Sequence, residues 1–116
     1  MNRGDVILVR FPHPSGARGK KRPAVVVQSD AHQRTVQTVV VAEVTKNLAL
    51  AGHPTCLYVD VATPEGQATG LLQNSVVSGL LLATVKADRV DQVIGILSDS
   101  MKQKLSDCLK SSLELP

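Results

Sequence analysis

The sequence predicts a mainly β fold, a small curled antiparallel sheet of about five to seven short strands with one helix at the C-terminus. Short segments rich in β-branched residues, bounded by Pro and Gly, follow one another from residue 5 to residue 97. A helical period is found only after residue 98. Because helical segments do not alternate with the strands, parallel βαβ units are excluded.

The first three strands are expected at residues 5–11, 24–28 and 35–44. The first is closed by Pro12 and Pro14, which begin a loop that continues to residue 21. The second is nearly all valine and is therefore expected to be buried on both faces. The third alternates at its start and then becomes continuously apolar, as expected of a strand that passes from a sheet edge into a core.

The middle of the chain continues the β pattern. A fourth strand is expected at residues 55–61, and Pro64-Glu65-Gly66 predicts a turn. Further short strands are expected at residues 75–77, 80–85 and 92–97, with Ser78-Gly79 separating the first two.

The final segment is expected to be an amphipathic helix. Ser98 and Asp99 offer an N-cap, and Lys110 near the end suits the helix dipole. Apolar residues recur at helical spacing, at Met101, Leu105, Cys108 and Leu109. We expect this stripe to pack against the mouth of a barrel.

The composition is that of one ordinary globular domain, expected to span residues 1–116. Of the 116 residues, 43% are hydrophobic and 20% are charged. No apolar run is long enough to cross a bilayer, and Asp5 and Arg10 interrupt the apolar stretch near the N-terminus, so we expect neither a membrane segment nor a signal peptide. Cys56 and Cys108 lack CxxC spacing, which disfavours a zinc site. These features predict a reduced, cytoplasmic protein.

Positive charge is concentrated at the start of the chain. Residues 1–30 contain six cationic and two acidic residues, a net +4, whereas the whole chain carries +3. A polyanion partner would explain this distribution, and so would a solvated surface loop. Phe11 and Tyr58 are the only aromatic residues. A nucleic acid would therefore be bound mainly through its phosphates.

Seven motifs occur in one order along nearly the whole chain. They are Arg3-Gly4-Asp5-Val6, Phe11-Pro12, Lys21-Arg22-Pro23-Ala24-Val25-Val26-Val27, Val44-Thr45, Gly70-Leu71-Leu72, Asn74-Ser75-Val76-Val77 and Ile96-Leu97-Ser98-Asp99. In these motifs the sequence resembles the MazF/PemK family, the toxin endoribonucleases of type II toxin–antitoxin systems.

The resemblance implies a small SH3-like, CcdB-like barrel that forms a two-fold homodimer. It also implies cleavage of single-stranded RNA, such as messenger RNA, without a metal or other cofactor. The implied chemistry is attack by a ribose 2′-OH on the adjacent phosphate, and it needs a base, an acid and cations that stabilise the phosphorane. The implied partner is a cognate antitoxin, for which we expect an acidic, disordered tail that folds on binding.

Arg22 and Thr45 are the candidate catalytic residues. Pro23 favours an extended Arg22, and a guanidinium fork suits bidentate contact with phosphate, the role of the family's matching arginine. A structural ion pair of Arg22 with Asp5 is the alternative. Thr45 lies where a buried strand meets a loop. The resemblance implies a catalytic or substrate-orienting role for its hydroxyl, and capping of the strand end is the alternative.

Six further residues are expected to contact RNA. Most are cations suited to phosphate, Ser78 offers a hydroxyl, and the histidine could also act as an acid or a base. They are His13, Arg18, Lys20, Lys21, Lys46 and Ser78.

Two departures from the family pattern bear on activity. Ala17 stands where the family has a glutamate, and residues 78–82, which include Leu80, carry no charge where many relatives have polar site residues. One alternative is therefore a family member that binds RNA or antitoxin with weakened catalysis. Another is an inhibitor of DNA gyrase on the same fold. The presence of both Arg22-Pro23 and Thr45 favours the nuclease.

Overall fold

The structure, a computed structural model, describes residues 1–11, 19–33 and 35–116. The strands are β1 (Asp5–Arg10), β2 (Lys21–Val26), β3 (Thr38–Thr45), β4 (Cys56–Val59), β5 (Ser75–Lys86) and β6 (Val90–Ile96). The helices are α1 (Pro64–Ala68) and α2 (Asp99–Leu113), with 3-10 turns at Asp30–His32 and Ala87–Arg89.

The strands form one antiparallel sheet in the order β4-β5-β3-β2-β1-β6. This confirms the prediction of a mainly β fold with a C-terminal helix. In the described part of the chain the sheet is not closed, because β4 and β6 lie at its two ends. Helix α2 therefore packs on β4 and β5, at one end of the strand order, and not across the mouth of a closed barrel.

Several boundaries differ from the prediction. The second strand begins earlier, at Lys21, and the third begins later, at Thr38, so the alternation at residues 35–37 marks no strand. The expected turn at residues 64–66 is the start of α1, because Pro64 occupies the first turn and the Thr63 hydroxyl accepts a hydrogen bond from the Gly66 N–H at 3.0 Å.

The two short strands expected at residues 75–77 and 80–85 are one continuous strand, β5. The pairing of β5 with β3 is interrupted. Its register changes between the pairs Ala42–Leu82 and Val44–Val77, so that residues 78–81 of β5 lie opposite a single residue of β3. Within this bulge Ser78 is buried, whereas Leu80 is 53% and Leu81 is 46% exposed.

The core has two parts, one on each face of the sheet. The β2 residues Ala24, Val25 and Val26 are fully buried, which confirms that this strand is covered on both faces. Val25 belongs to the cluster under α2, and the other two belong to the opposite cluster with Ile7 and Val41. The start of β2 is thereby anchored from both sides.

Helix α2 follows the predicted pattern. The Ser98 hydroxyl accepts a hydrogen bond from the Met101 N–H at 3.2 Å and caps the helix. Met101, Leu105 and Cys108 are buried in the cluster on that face. Neither α-helix of the described chain has the length and apolar character that a membrane-spanning helix needs.

Gly70 fixes the loop between α1 and β5. Its φ of 74° lies in the left-handed region. A Cβ at this position would overlap the backbone carbonyl of Ile94 on β6. The loop therefore approaches β6 as closely as a glycine permits.

We expect Gly70→Ala to destabilise the fold by about 2 kcal/mol or more, because it adds both backbone strain and an overlap with Ile94. Thermal unfolding should show a melting temperature lower by roughly 5–15 °C. Gly52→Ala is the matched control, because a Cβ there meets nothing within 4 Å. Equal melting temperatures for the two variants would contradict this account of the loop.

Candidate functional site

A cleft opens where β2 and β3 separate. The two strands pair from Val26–Val41 to Ala24–Glu43 and no further. Beyond this point residues 21–23 pair only with β1, whereas Val44 and Thr45 pair with β5. Pro23 has no N–H to offer a neighbouring strand, which suits the end of a ladder. A cavity of about 640 Å³ lies at this place, and residues of β1, β6 and the segment 70–75 line it together with the separating strands.

Both polar and apolar residues line this cavity. The polar ones are Lys21, Arg22, Thr45, Lys46, Asn47, Gln73 and Ser75. The apolar ones are Leu8, Pro23, Val44, Leu71, Leu72 and Ile94, and Gly70 completes the wall. Four of the residues predicted for the site, Arg22, Thr45, Lys21 and Lys46, are thus brought together.

Arg22 lies on the rim of the cavity as an exposed strand residue. It stands opposite Val9 in the β1–β2 ladder, so its backbone is extended, as the following proline predicts. Within the described residues its guanidinium forms no ion pair. The alternative pairing with Asp5 is not observed, because that carboxylate accepts a hydrogen bond from the Asn2 N–H at 2.8 Å. The Arg22 guanidinium is thus not engaged by the acid proposed as its structural partner.

Thr45 ends β3 and begins the next loop. Its hydroxyl oxygen accepts a hydrogen bond from the Asn47 N–H at 3.1 Å, and the Asn47 carboxamide oxygen accepts one from the Ala49 N–H at 3.0 Å. The hydroxyl therefore does cap the strand end. Its own proton is still available to donate into the cavity, so the structural and the functional readings are compatible.

Lys21 is shared between the cavity and a neighbouring carboxylate. Its Nζ lies 3.1 Å from Asp91 Oδ2 on β6. Asp91 also lines a second cavity, of about 340 Å³, with Arg10, Asp88 and Arg89. The charge of this second cavity is mixed, so it does not extend the cationic rim of the first.

Ser78 does not join the other predicted residues. It is 4% exposed and does not line the cavity. Its hydroxyl accepts a hydrogen bond from the Leu80 N–H at 3.2 Å and lies 3.8 Å from Cys56 Sγ. The structure does not bring Ser78 to the cavity, because its hydroxyl is buried where β5 pairs with Cys56 of β4.

The other three residues predicted to contact RNA are Lys20, His13 and Arg18. Lys20 is exposed but does not line the cavity. His13 and Arg18, together with the departure at Ala17, lie outside the described residues.

The positive start of the chain is partly used by the fold. Arg3 donates to the Val27 carbonyl at 3.2 Å and to the Ser106 hydroxyl at 3.0 Å, which ties α2 to the end of β2. Arg10 donates to the Gly19 carbonyl at 2.9 Å. These two cations are structural, so the count of charges overstates what is offered to a polyanion.

The loop 70–74 and the start of β5 supply residues that the prediction missed. Gln73 and Ser75 line the cavity, and the Ser75 hydroxyl donates to the Gln73 carbonyl at 2.8 Å. The sequence marked this region only through the Gly70-Leu71-Leu72 and Asn74-Ser75 motifs. No local pattern places the loop beside the start of β2, because that contact depends on the strand order.

Comparisons with known proteins agree with this architecture. The family model for PemK-like, MazF-like toxins of type II toxin–antitoxin systems matches residues 2–113. The endoribonuclease EndoA of Bacillus subtilis is 29% identical over 99% of this chain and 96% of its own. The endoribonuclease MazF6 of Mycobacterium tuberculosis is 30% identical over 99% and 98%.

Solved structures share the fold. A mycobacterial endoribonuclease in complex with its cognate antitoxin superposes with a TM-score of 0.76 at 20% identity, covering 100% of this chain and 97% of the other. The MazE-MazF structure (Form-III) from Deinococcus radiodurans gives 0.77 at 16% identity, covering 100% and 98%.

Both cysteines lie outside the cavity between β2 and β3. Among the described residues no group of three or more His, Cys, Asp or Glu could hold a metal ion. Cys56 and Cys108 are both buried, and Cys108 belongs to the cluster under α2. Burial, and secondarily the neighbouring Cys56 and Asp107, raise the pKa of the Cys108 thiol. A protonated, buried thiol is a poor nucleophile.

We expect the two thiols of the folded protein to be alkylated slowly. At pH 8 iodoacetamide should modify them at least about tenfold more slowly than in the urea-unfolded chain, since burial blocks access to both thiols, and the raised pKa of Cys108 also lowers the thiolate fraction of that residue. Intact-protein mass spectrometry over time measures both rates. Equal rates in the folded and unfolded chains would contradict the burial of these thiols.

Proposed function

The chain belongs to the family of PemK-like, MazF-like toxins of type II toxin–antitoxin systems, and we propose that it is a toxin endoribonuclease that cleaves single-stranded RNA. The observation that carries this proposal is the cavity between β2 and β3, where Arg22, Lys21, Lys46 and Thr45 converge. Three cations and a hydroxyl suit a phosphodiester. Messenger RNA in the cytoplasm is the proposed substrate.

The proposed reaction is a transesterification without a cofactor. The ribose 2′-oxygen forms a bond to phosphorus and loses its proton, while the bond to the 5′-oxygen breaks and that oxygen gains a proton. A 2′,3′-cyclic phosphate and a 5′-hydroxyl result. In the transition state the Arg22 guanidinium stabilises the charge on the non-bridging oxygens, and the Thr45 hydroxyl donates to one of them. Lys21 and Lys46 hold the flanking phosphates.

A second candidate is a family member that binds RNA and cleaves it weakly. The described wall of the cavity contains no carboxylate and no imidazole. We therefore assign to this wall the stabilisation of charge and not the transfer of protons. The two candidates differ in the cleavage rate of the unaltered protein.

The proposed protein partner is a cognate antitoxin with an acidic, disordered tail. Arg22 and Lys46 are exposed in the lining of the cavity, and Lys20 is exposed next to Lys21 in the chain. An acidic segment that lies along these residues would occupy the phosphate positions and exclude RNA. Attraction between the opposite charges should speed its association, and this effect should weaken with salt.

We also predict that the protein is a homodimer that includes the bulge of β5 in its interface. Leu80 and Leu81 are adjacent and about half exposed, and an uncharged bulge of this kind favours association. Light scattering at micromolar concentration should give twice the 12.3 kDa of one chain. The double substitution Leu80→Asp and Leu81→Asp should give the monomer mass, whereas Leu113→Asp, at another exposed leucine, should not. A monomeric unaltered protein would contradict the prediction.

Arg22→Ala is expected to lower the cleavage rate by two to three orders of magnitude while the fold is retained. Loss of a preorganised donor at a developing charge costs about 3–4 kcal/mol. Arg22→Lys should restore little, because a point charge does not replace the bidentate fork. Single-turnover cleavage of a labelled RNA measures the rate, and circular dichroism checks the fold.

Arg89→Ala is the matched control for this experiment. It removes the same charge from an exposed arginine that lies outside the cavity between β2 and β3. Its cleavage rate should stay within a few-fold of the unaltered protein. If Arg22→Ala and Arg89→Ala cleave at the same rate, Arg22 is not catalytic. If the unaltered protein binds the RNA but does not cleave it, the second candidate function applies.

A further inference from the structure

The loop 70–74 is held firmly at its backbone but presents two unused side chains. Gly70 packs against Ile94, the Leu71 N–H donates to the Thr69 hydroxyl at 3.2 Å, and the Asn74 carboxamide oxygen accepts from the Val61 N–H at 2.9 Å. Between these anchors Leu72 is 93% exposed and Gln73 is also exposed. Their positions are therefore set by the backbone and not by side-chain packing.

Leu72 is the most exposed apolar residue of the cavity lining, at 93%, whereas its neighbour Leu71 is buried in the core cluster. A single exposed leucine is ordinary on a protein surface. This one lies on the rim of the cavity, beside the apolar side chains of Leu71, Ile94 and Pro23. A flat ligand with an apolar face would bury Leu72 and the wall together.

Two cations, Arg22 and Lys46, also line the same cavity. A flexible chain that alternates phosphates with flat rings matches this combination, because the phosphates bind the cations and one ring contacts the apolar side chains. The volume of about 640 Å³ falls within the range of roughly 300–1,000 Å³ that is usual for small-ligand sites. Single-stranded RNA is recognised through bases that are turned out of the stack in this way.

Neither aromatic residue lines the cavity, so a base cannot stack there on Phe11 or Tyr58. An aliphatic wall gives contact without strong preference among bases, so selectivity must come from hydrogen bonds to the base edge. Two carboxamides line the cavity. The Asn47 oxygen is already bonded to the Ala49 N–H, whereas the Gln73 carboxamide makes no hydrogen bond within the described residues.

We propose that Leu72 and Gln73 form the binding site for one unstacked base of the RNA, and that the Gln73 carboxamide selects adenine there. The proposal rests on the proposed function of RNA cleavage. A carboxamide has one donor group and one acceptor group. Its NH₂ can donate to adenine N7 while its oxygen accepts from the adenine N6 amino group. Leu72 covers the face of the base, and Arg22 and Lys46 hold the adjoining phosphates.

The test is the sequence preference of cleavage in a randomised RNA pool, determined by sequencing the new 5′-hydroxyl ends. The unaltered protein should show adenine at one position of its cleavage motif. Gln73→Ala should reduce that preference roughly tenfold, while cleavage at the other bases continues. Gln73→Glu, which only accepts hydrogen bonds, should shift the preference at the same position toward cytosine. Gln67→Ala, at an exposed glutamine of α1 outside the cavity, should leave the motif unchanged.

Leu72 is tested separately on one RNA that carries the preferred motif. Leu72→Ser should raise KM several-fold with kcat and the motif unchanged, whereas Leu115→Ser, at an exposed leucine outside the cavity, should leave KM unchanged. If the Leu72→Ser variant has the KM and kcat of the unaltered protein, Leu72 does not contact the RNA base. Its exposed side chain would then suit a protein partner.

A binding measurement separates failure of this inference from failure of the proposed function. The probes are fluorescent 2′-O-methyl RNA oligonucleotides, which cannot undergo 2′-OH attack and which differ at one base. If the unaltered protein cuts no member of the pool, the nuclease function is wrong, and the affinities for these oligonucleotides still test the base preference. If Gln73→Ala keeps the motif and the order of affinities of the unaltered protein, the base site at Gln73 is wrong.

Discussion

The separation of β2 from β3 beyond the Ala24–Glu43 pair is the constraint on which the site depends. A sheet that stayed paired to the end of both strands would have no cavity at this place. The separation can persist because β2 remains paired with β1 on its other side, and because its next residues are buried on both faces. The core thus holds the start of β2 rigid while its open side faces the cavity, which is the arrangement that a preorganised cation requires.

Fewer of the positive charges are available to a polyanion than the composition suggests. Arg3 and Arg10 stabilise backbone junctions, and Lys21 pairs with Asp91. The Lys21–Asp91 pair is more than one-third exposed on both sides, and such surface pairs contribute about 0–1 kcal/mol at most. A phosphate can therefore replace Asp91 as the partner of Lys21 at little cost in free energy. Arg22 has no ion-pair partner among the described residues that a phosphate would need to replace. The ion pair orients Lys21 without removing it from the cavity.

The features that could be predicted from the sequence are those with a local cause. Valine content marked β2, the helical period and Ser98 marked α2, and Pro23 marked an extended Arg22. The open sheet, the pairing jump opposite Glu43 and the approach of Gly70 to Ile94 depend on contacts between distant segments, for which one sequence carries no periodic pattern. Ser78 shows the consequence. Its neighbours suggested a break between strands, but β5 continues through it and turns its hydroxyl inward.

The residues of the cavity are supported in two ways, some by strands packed in the core and others by a loop. The two groups therefore tolerate substitution differently. Arg22 and Thr45 lie on strands whose neighbours fill the core, so a substitution at Pro23 or Val44 would displace these two side chains together with the packing. Leu72 and Gln73 stand on a loop whose backbone is fixed but whose outward side chains contribute no packing within the described chain. Substitution of these two residues can therefore alter what the cavity accepts while the strands that hold Arg22 stay in place.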